Sequence, residues 1–113
     1  MIFKIVHADD WRSAKADGVY RGSAKDIADG FLHFSTAEQL PGTLTRYYAG
    51  VRGLLLVAVD EAALGEALKY EASTGGALYP HLYGALPRSA MRWDKPLELR
   101  ADGTFNLPPE IYD

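Results

Sequence analysis

The chain has 113 residues, enough for one hydrophobic core and too few for two. With 48% hydrophobic and 24% charged residues, its composition is that of a folded protein and excludes disorder. The net charge is -3 and the twelve Lys and Arg are scattered, which disfavours duplex nucleic acid as a partner; a small nucleotide or an RNA end stays open. Cysteine is absent, removing disulfides, thiol catalysis and thiolate metal sites and fitting a reducing compartment. The opening M-I-F-K-I-V-H lacks the pattern of a signal peptide. The longest apolar run, Leu54 to Val59, is far below the ~20 residues of a membrane span. A cytoplasmic protein without a membrane partner is expected.

Taken in order, Ile2 to Val6 alternates loosely around Lys4 and predicts a strand ending near His7. Asp9 or Asp10 is expected to cap a short helix carrying Trp11 and Ala14 and stopped by Gly18. Val19 to Gly22 reads as extended, and Ser23 as the cap of a helical turn from Ala24 to Asp29, closed by Gly30. Phe31 to Phe34 has strand composition broken only by His33. Ser35 with Glu38 three residues on has capping-box spacing, so this strand is expected to pass directly into a helix. That helix would place Ala37, Leu40, Leu44, Tyr47 and Val51 on one side, with a kink or break at Pro41.

Beyond Gly53, the run L-L-L-V-A-V suits a strand covered on both faces. Asp60 can cap a turn through Ala63, Leu68 to Ala72 reads as a strand, and Ser73 to Tyr79 as a loop. Pro80 to Gly84 leads into a short strand and a turn at Pro87-Arg88-Ser89. Ala90 to Trp93 and Leu97 to Arg100 read as two strands, and Asp102-Gly103 as a hairpin returning through Thr104 to Leu107. Helices gather in the first half and strands in the second, which argues α+β.

The chain has three histidines, His7, His33 and His81, and none pairs with another at helical metal-motif spacing. In an extended segment Leu32 and Phe34 share one face while Phe31, His33 and Ser35 share the other, so His33 and Ser35 can line a cleft edge. Thr36 stands exposed at the same junction. Glu71 alternates with Tyr70 and Ala72, either on a solvated strand face or as an open-face carboxylate beside a Gly-rich loop. Tyr20 and Tyr83 are among several tyrosines able to stack on a flat ring, and Arg21 and Arg46 are the most plausible phosphate partners. There is no G-x-S-x-G elbow and no Gly-rich nucleotide fingerprint. A phosphoesterase with two H-x-S/T motifs would need a second copy of His33-Phe34-Ser35.

Several segments stand together in one order: K-I-V-H, Trp11 with its small helix, G-V-Y-R-G-S, G-F-L-H-F-S-T-A-E-Q, L-L-L-V-A-V, Y-E, P-H-L-Y-G-A-L and D-G-T-F-N-L-P. In these the chain resembles domain-of-unknown-function family 952, small bacterial proteins with no established activity; the family usually carries Phe where Tyr79 stands. It is also distantly similar to the ADP-ribosyltransferase fold, including the RNA 2'-phosphotransferases. That likeness implies a single α+β domain, residues 1–113, with a split, mostly antiparallel sheet and short flanking helices. It implies His7 as a first ribose contact, His33 with Ser35 and Thr36 as a second motif, and Glu71 as a late acidic residue.

The expected function is binding of NAD or a related nucleotide in a His-lined cleft; no cofactor is assigned, NAD being the candidate. If the protein is an enzyme, it is an ADP-ribosyl or phosphoryl-type transferase acting at the nicotinamide ribose carbon. Glu71 and His33 are then catalytic, and His7, Tyr20, Arg21, Ser35, Thr36, Arg46, His81 and Tyr83 bind ligand. The alternatives are a non-enzymatic ligand-binding or protein-interaction module and, less favoured, a His-based metal site.

Overall fold

A computed structural model describes residues 1–112. Strand β1 (Ile2–His7) leads into helix α1 (Ala8–Asp17), strand β2 (Val19–Tyr20), helix α2 (Ala24–Asp29), strand β3 (Leu32–His33) and helix α3 (Leu40–Tyr47). Then come β4 (Leu54–Val59), β5 (Leu68–Ala72), β6 (Leu78–Leu82), β7 (Leu86–Pro87), β8 (Met91–Leu99) and β9 (Phe105–Asn106), with 3-10 turns between several of them. Among the described residues the strands form three antiparallel sheets: β1-β4-β8-β9, β3-β6-β5 and the pair β2-β7. This is an α+β fold with short helices around split, antiparallel sheets; the α+β class is the one that the distribution of periodicities predicts.

β4 shows why the chain splits into layers. Its side chains alternate between two cores: Val57 and Val59 join Ile2, Val6, Trp11 and Phe34, whereas Leu54, Leu56 and Ala58 join Phe3, Ile5, Leu40 and Leu97. An apolar run without polar alternation is what a strand buried on both faces requires. The same alternation in β1 aims Lys4 at the first core, between Ile2 and Val6. The three-stranded sheet covers that core with Leu32, Leu82 and Leu68, which stand in one register row. The next row, His33, His81 and Lys69, therefore lies on the opposite face.

Several boundaries differ from expectation. Asp9 and Asp10 lie inside the first turn of α1, favourable for the helix dipole, while His7 holds the cap position without a side-chain bond. The junction after β3 is not a direct strand-to-helix passage. Ser35 bridges back to Phe3, with backbone hydrogen bonds of 2.8 Å in both directions. The reciprocal cap is made one residue later: the Thr36 N–H donates to Gln39 Oε1 and the Gln39 N–H to Thr36 Oγ1. α3 begins only at Leu40, so Pro41 falls in its first turn, where no intrahelical N–H is needed and no kink follows.

The segment from Leu78 to Tyr79, read as loop, belongs to β6. Pro80 sits inside this central strand without breaking it. Its carbonyl accepts from the Phe34 N–H at 3.0 Å, so its nitrogen faces the same side, just past the last β3 pair, His33 with His81, and the ladder to β5 loses no donor. The two strands expected around Trp93 and Leu97 are one, β8. Pro96 is accommodated because β9 pairs only with Glu98 and Leu99. No helix among the described residues is long and apolar enough to cross a membrane.

Candidate functional site

The site grows from two local devices on the same sheet face. The first is α2. Ser23 caps it, with its side chain accepting from the Asp26 N–H while the Ser23 N–H donates to Asp26 Oδ2, and Gly30 closes it in the left-handed conformation. Gly22, at φ +115°, lets this turn lie against β3. A Cβ there would meet Leu32 Cδ2 at 2.8 Å and the Asp26 Cβ at 2.9 Å. The capped helix thereby buries Asp26, which is 3% exposed.

Four donors converge on the Asp26 carboxylate. Oδ1 takes the His33 backbone N–H at 3.2 Å and His33 Nδ1 at 2.6 Å, and Oδ2 takes the Ser23 N–H at 2.9 Å and Lys4 Nζ at 3.0 Å. Burial by itself would raise the Asp26 pKa. The hydrogen bond from His33 and the charge of Lys4 reverse this and hold it well below the usual carboxylate range. Lys4, 4% exposed, also donates to the His33 carbonyl at 2.8 Å and lies over the rings of Tyr20 and Phe34. Burial pushes its pKa down, opposed by Asp26. His33 Nε2 is 2.9 Å from Asp29, which pairs in turn with Lys25 at 3.2 Å. Each ring nitrogen of His33 thus has a carboxylate as its neighbour, and the ring is fixed from both sides.

The second device is the β5–β6 ladder. Glu71 faces Tyr79 in register, and along β6 Tyr79 and His81 share a face. Glu71 Oε1 lies 2.8 Å from His81 Nδ1 and accepts the Tyr83 hydroxyl at 2.7 Å. The Tyr83 hydrogen bond, and then that of His81, lowers the Glu71 pKa, and the same bond raises that of Tyr83. Phe31 joins the two devices. Its ring stacks on His81 at 4.1 Å and touches those of His33 and Tyr83 at 4.7 and 5.3 Å.

Beside these rings opens a cavity of about 330 Å³, near the lower end of the ~300–1,000 Å³ of small-molecule sites. Its walls combine flat aromatic faces (Phe31, Tyr48, Tyr79) with Lys25, Asp29 and Arg46. Arg46 is exposed at the end of α3 and has no side-chain partner among the described residues. Burial raises the Tyr48 pKa, keeping its hydroxyl a donor.

Of the residues expected at the site, His33, Ser35, Arg46 and His81 line this cavity. Ser35 is 4% exposed and its hydroxyl is 3.0 Å from that of Thr43, so it joins the wall to α3. Glu71 and Tyr83 do not line the cavity and reach it through His81. His7 is exposed at the far end of β1, outside the cavity, so the expected convergence of His7 with His33 and Glu71 is not met. Tyr20 is buried behind Lys4, where burial raises its pKa. Arg21 is exposed and pairs with Asp17, and Thr36 is taken up by its cap with Gln39. No cluster of three metal-ligating side chains occurs among the described residues.

Sequence reasoning passed over Lys4, Asp26 and Phe31. A lysine in register with Ile2 and Val6 was the available signal for a buried charge in need of a partner. Asp26, three residues after Ser23, carries the capping-box spacing, which accounts for only one of its oxygens.

Residues 5–94 match the sequence model of a family described as protein of unknown function (DUF952). The chain is similar to protein CC0527 from Caulobacter crescentus, whose crystal structure shares 44% identity over 98% of this chain and 97% of that one, with a TM-score of 0.92. The solution structure of the same protein matches at 47% identity over 91% and 89% of the two chains, with a TM-score of 0.82. No curated protein matches the chain.

Proposed function

The chain belongs to the DUF952 family, and on that premise we propose that it binds NAD or a related nucleotide in the cavity beside His33 and His81, in a fold akin to that of the ADP-ribosyltransferases. The observation that carries this is the pairing of flat ring faces with a cation that has no side-chain partner among the described residues. Phe31, Tyr48 and Tyr79 offer surfaces to a base or nicotinamide ring, and Arg46 stands at the same cavity with the planar, forked donors that suit a phosphate. His33, fixed by two carboxylates, adds a rigidly held ring to the wall.

The position of Glu71 favours a second reading, a ligand-binding module without ADP-ribosyl transfer. Its carboxylate is spent on His81 and Tyr83 rather than facing the cavity, so it is not placed to stabilise charge on a ribose carbon.

Thermal unfolding with NAD, ADP-ribose and nicotinamide mononucleotide tests both. Ligand at about 100 times its Kd adds ~2.7 kcal/mol, which raises the midpoint of a domain this size by roughly 10 °C. A nucleotide that shifts the midpoint but is recovered intact supports binding without turnover. No shift at millimolar concentration of any of the three overturns the nucleotide reading.

A further inference from the structure

We propose that His81 reads a ribose hydroxyl of the bound nucleotide through Nε2, and that Glu71 is a positioning residue acting through His81. The inference rests on the nucleotide reading above and assigns the side chain that selects among nucleotides. Glu71 Oε1 accepts from Tyr83 at 2.7 Å and lies 2.8 Å from His81 Nδ1. An ionised carboxylate only accepts, so Nδ1 carries the proton. In a neutral imidazole that leaves Nε2 as an acceptor.

The ring is not free to reorient. It is 5% exposed, stacks on Phe31 with 28° between planes, and hangs from the middle strand of its sheet. Among the described residues Nε2 has no partner, and no buried side-chain N or O lacks one. Nε2 is therefore accessible, on a ring that lines the cavity. The charged and titratable groups around it are Glu71 and Lys69 from β5, Tyr79 and Tyr83 along and just beyond β6, and His33 from β3.

Lys25 and Arg46 bring donors to this site, and the Nε2 of a neutral His81 adds a rigidly held acceptor. The complementary ligand carries a hydroxyl close to a phosphate. Phosphate on Arg46 and a sugar hydroxyl on Nε2 satisfy both, and a deoxy ligand leaves Nε2 desolvated and unpaired.

The test uses the full chain. Imidazole nitrogen NMR is expected to show the Nδ1–H tautomer for His81 in the free protein, shifting toward Nε2–H in Glu71→Gln. Calorimetry with nicotinamide mononucleotide and its 2'-deoxy and 3'-deoxy analogues is expected to show one analogue binding at least about tenfold more weakly. His81→Phe, which keeps a ring against Phe31, is expected to bind all three alike. An Nε2–H tautomer in the wild type, or equal affinity for the three probes, overturns the role of His81 and leaves the nucleotide reading standing. Binding of NAD without binding of the mononucleotide does the same. Failure of all nucleotides overturns both.

Discussion

His33 and His81 occupy one register row of one small sheet, their ring centroids 5.7 Å apart and edge to face, yet their surroundings differ in kind. His33 is held from both nitrogens, by Asp26 and Asp29, and rests on a buried Asp26–Lys4 pair. His81 is held from one nitrogen by a partly exposed glutamate and leaves the other without a partner among the described residues. A ring with both nitrogens spent is an anchor; a ring with one spent is an anchored acceptor. Burial and polar satisfaction do not run together here: His81 is the more buried of the two rings and the one with fewer of its nitrogens bonded among the described residues.

The comparison breaks most directly at Asp26. Asp26→Asn leaves Lys4 buried without a counter-charge and is expected to cost about 3–5 kcal/mol by urea unfolding. Lys4→Met combined with Asp26→Asn should cost less than the sum of the two single changes. A loss below about 1 kcal/mol for Asp26→Asn would mean that the pair is not the foundation of the His33 half.

Gly22→Ala is the next largest. It forces a Cβ into Leu32 and Asp26 at a positive φ, for about 1–3 kcal/mol. The matching replacement at Gly18, whose φ is also positive but where nothing lies within 4 Å, should cost less.

Acid separates the halves further. The folded pKa of Asp26 lies below its unfolded value, which is about 3.9. Its contribution is therefore full above pH ~4 and is lost as pH falls below that toward the folded value. Urea midpoints measured from pH 5 to pH 2 should fall more steeply for the wild type than for Asp26→Asn.

The smallest effect on stability is expected at Glu71. Glu71→Gln should leave the urea midpoint near that of the wild type while weakening nucleotide binding. A large drop in the midpoint would make the His81 assembly structural after all.

Much of this was legible in the sequence, residue by residue. The alternation of Leu32 with His33 and of Tyr70 with Glu71 gives their opposite faces, because side chains in an extended backbone alternate whatever the partner strand. Ser23 and Gly30 mark α2 because a capped turn is a local affair. The capping box at Ser35 was misplaced because Ser35 and Thr36 offer the same chemistry. Only the bridge from Ser35 to Phe3 gives the first to the sheet and the second to the helix. Pro80 hid β6, since its tolerance depends on where the neighbouring strand stops.

The sequence by itself determined the α+β class, the doubly buried β4, the capped α2 and the outward face of His33, all set by short-range backbone geometry and the spacing of apolar residues. Tertiary structure alone decided which polar groups meet. Lys4 finds Asp26 and His33 finds His81 because strands pair so as to bury Leu32, Leu82 and Leu68 together, while His7 is left outside at the exposed end of β1, on the face of Phe3 and Ile5 rather than that of Lys4. The site is assembled on the face opposite that choice.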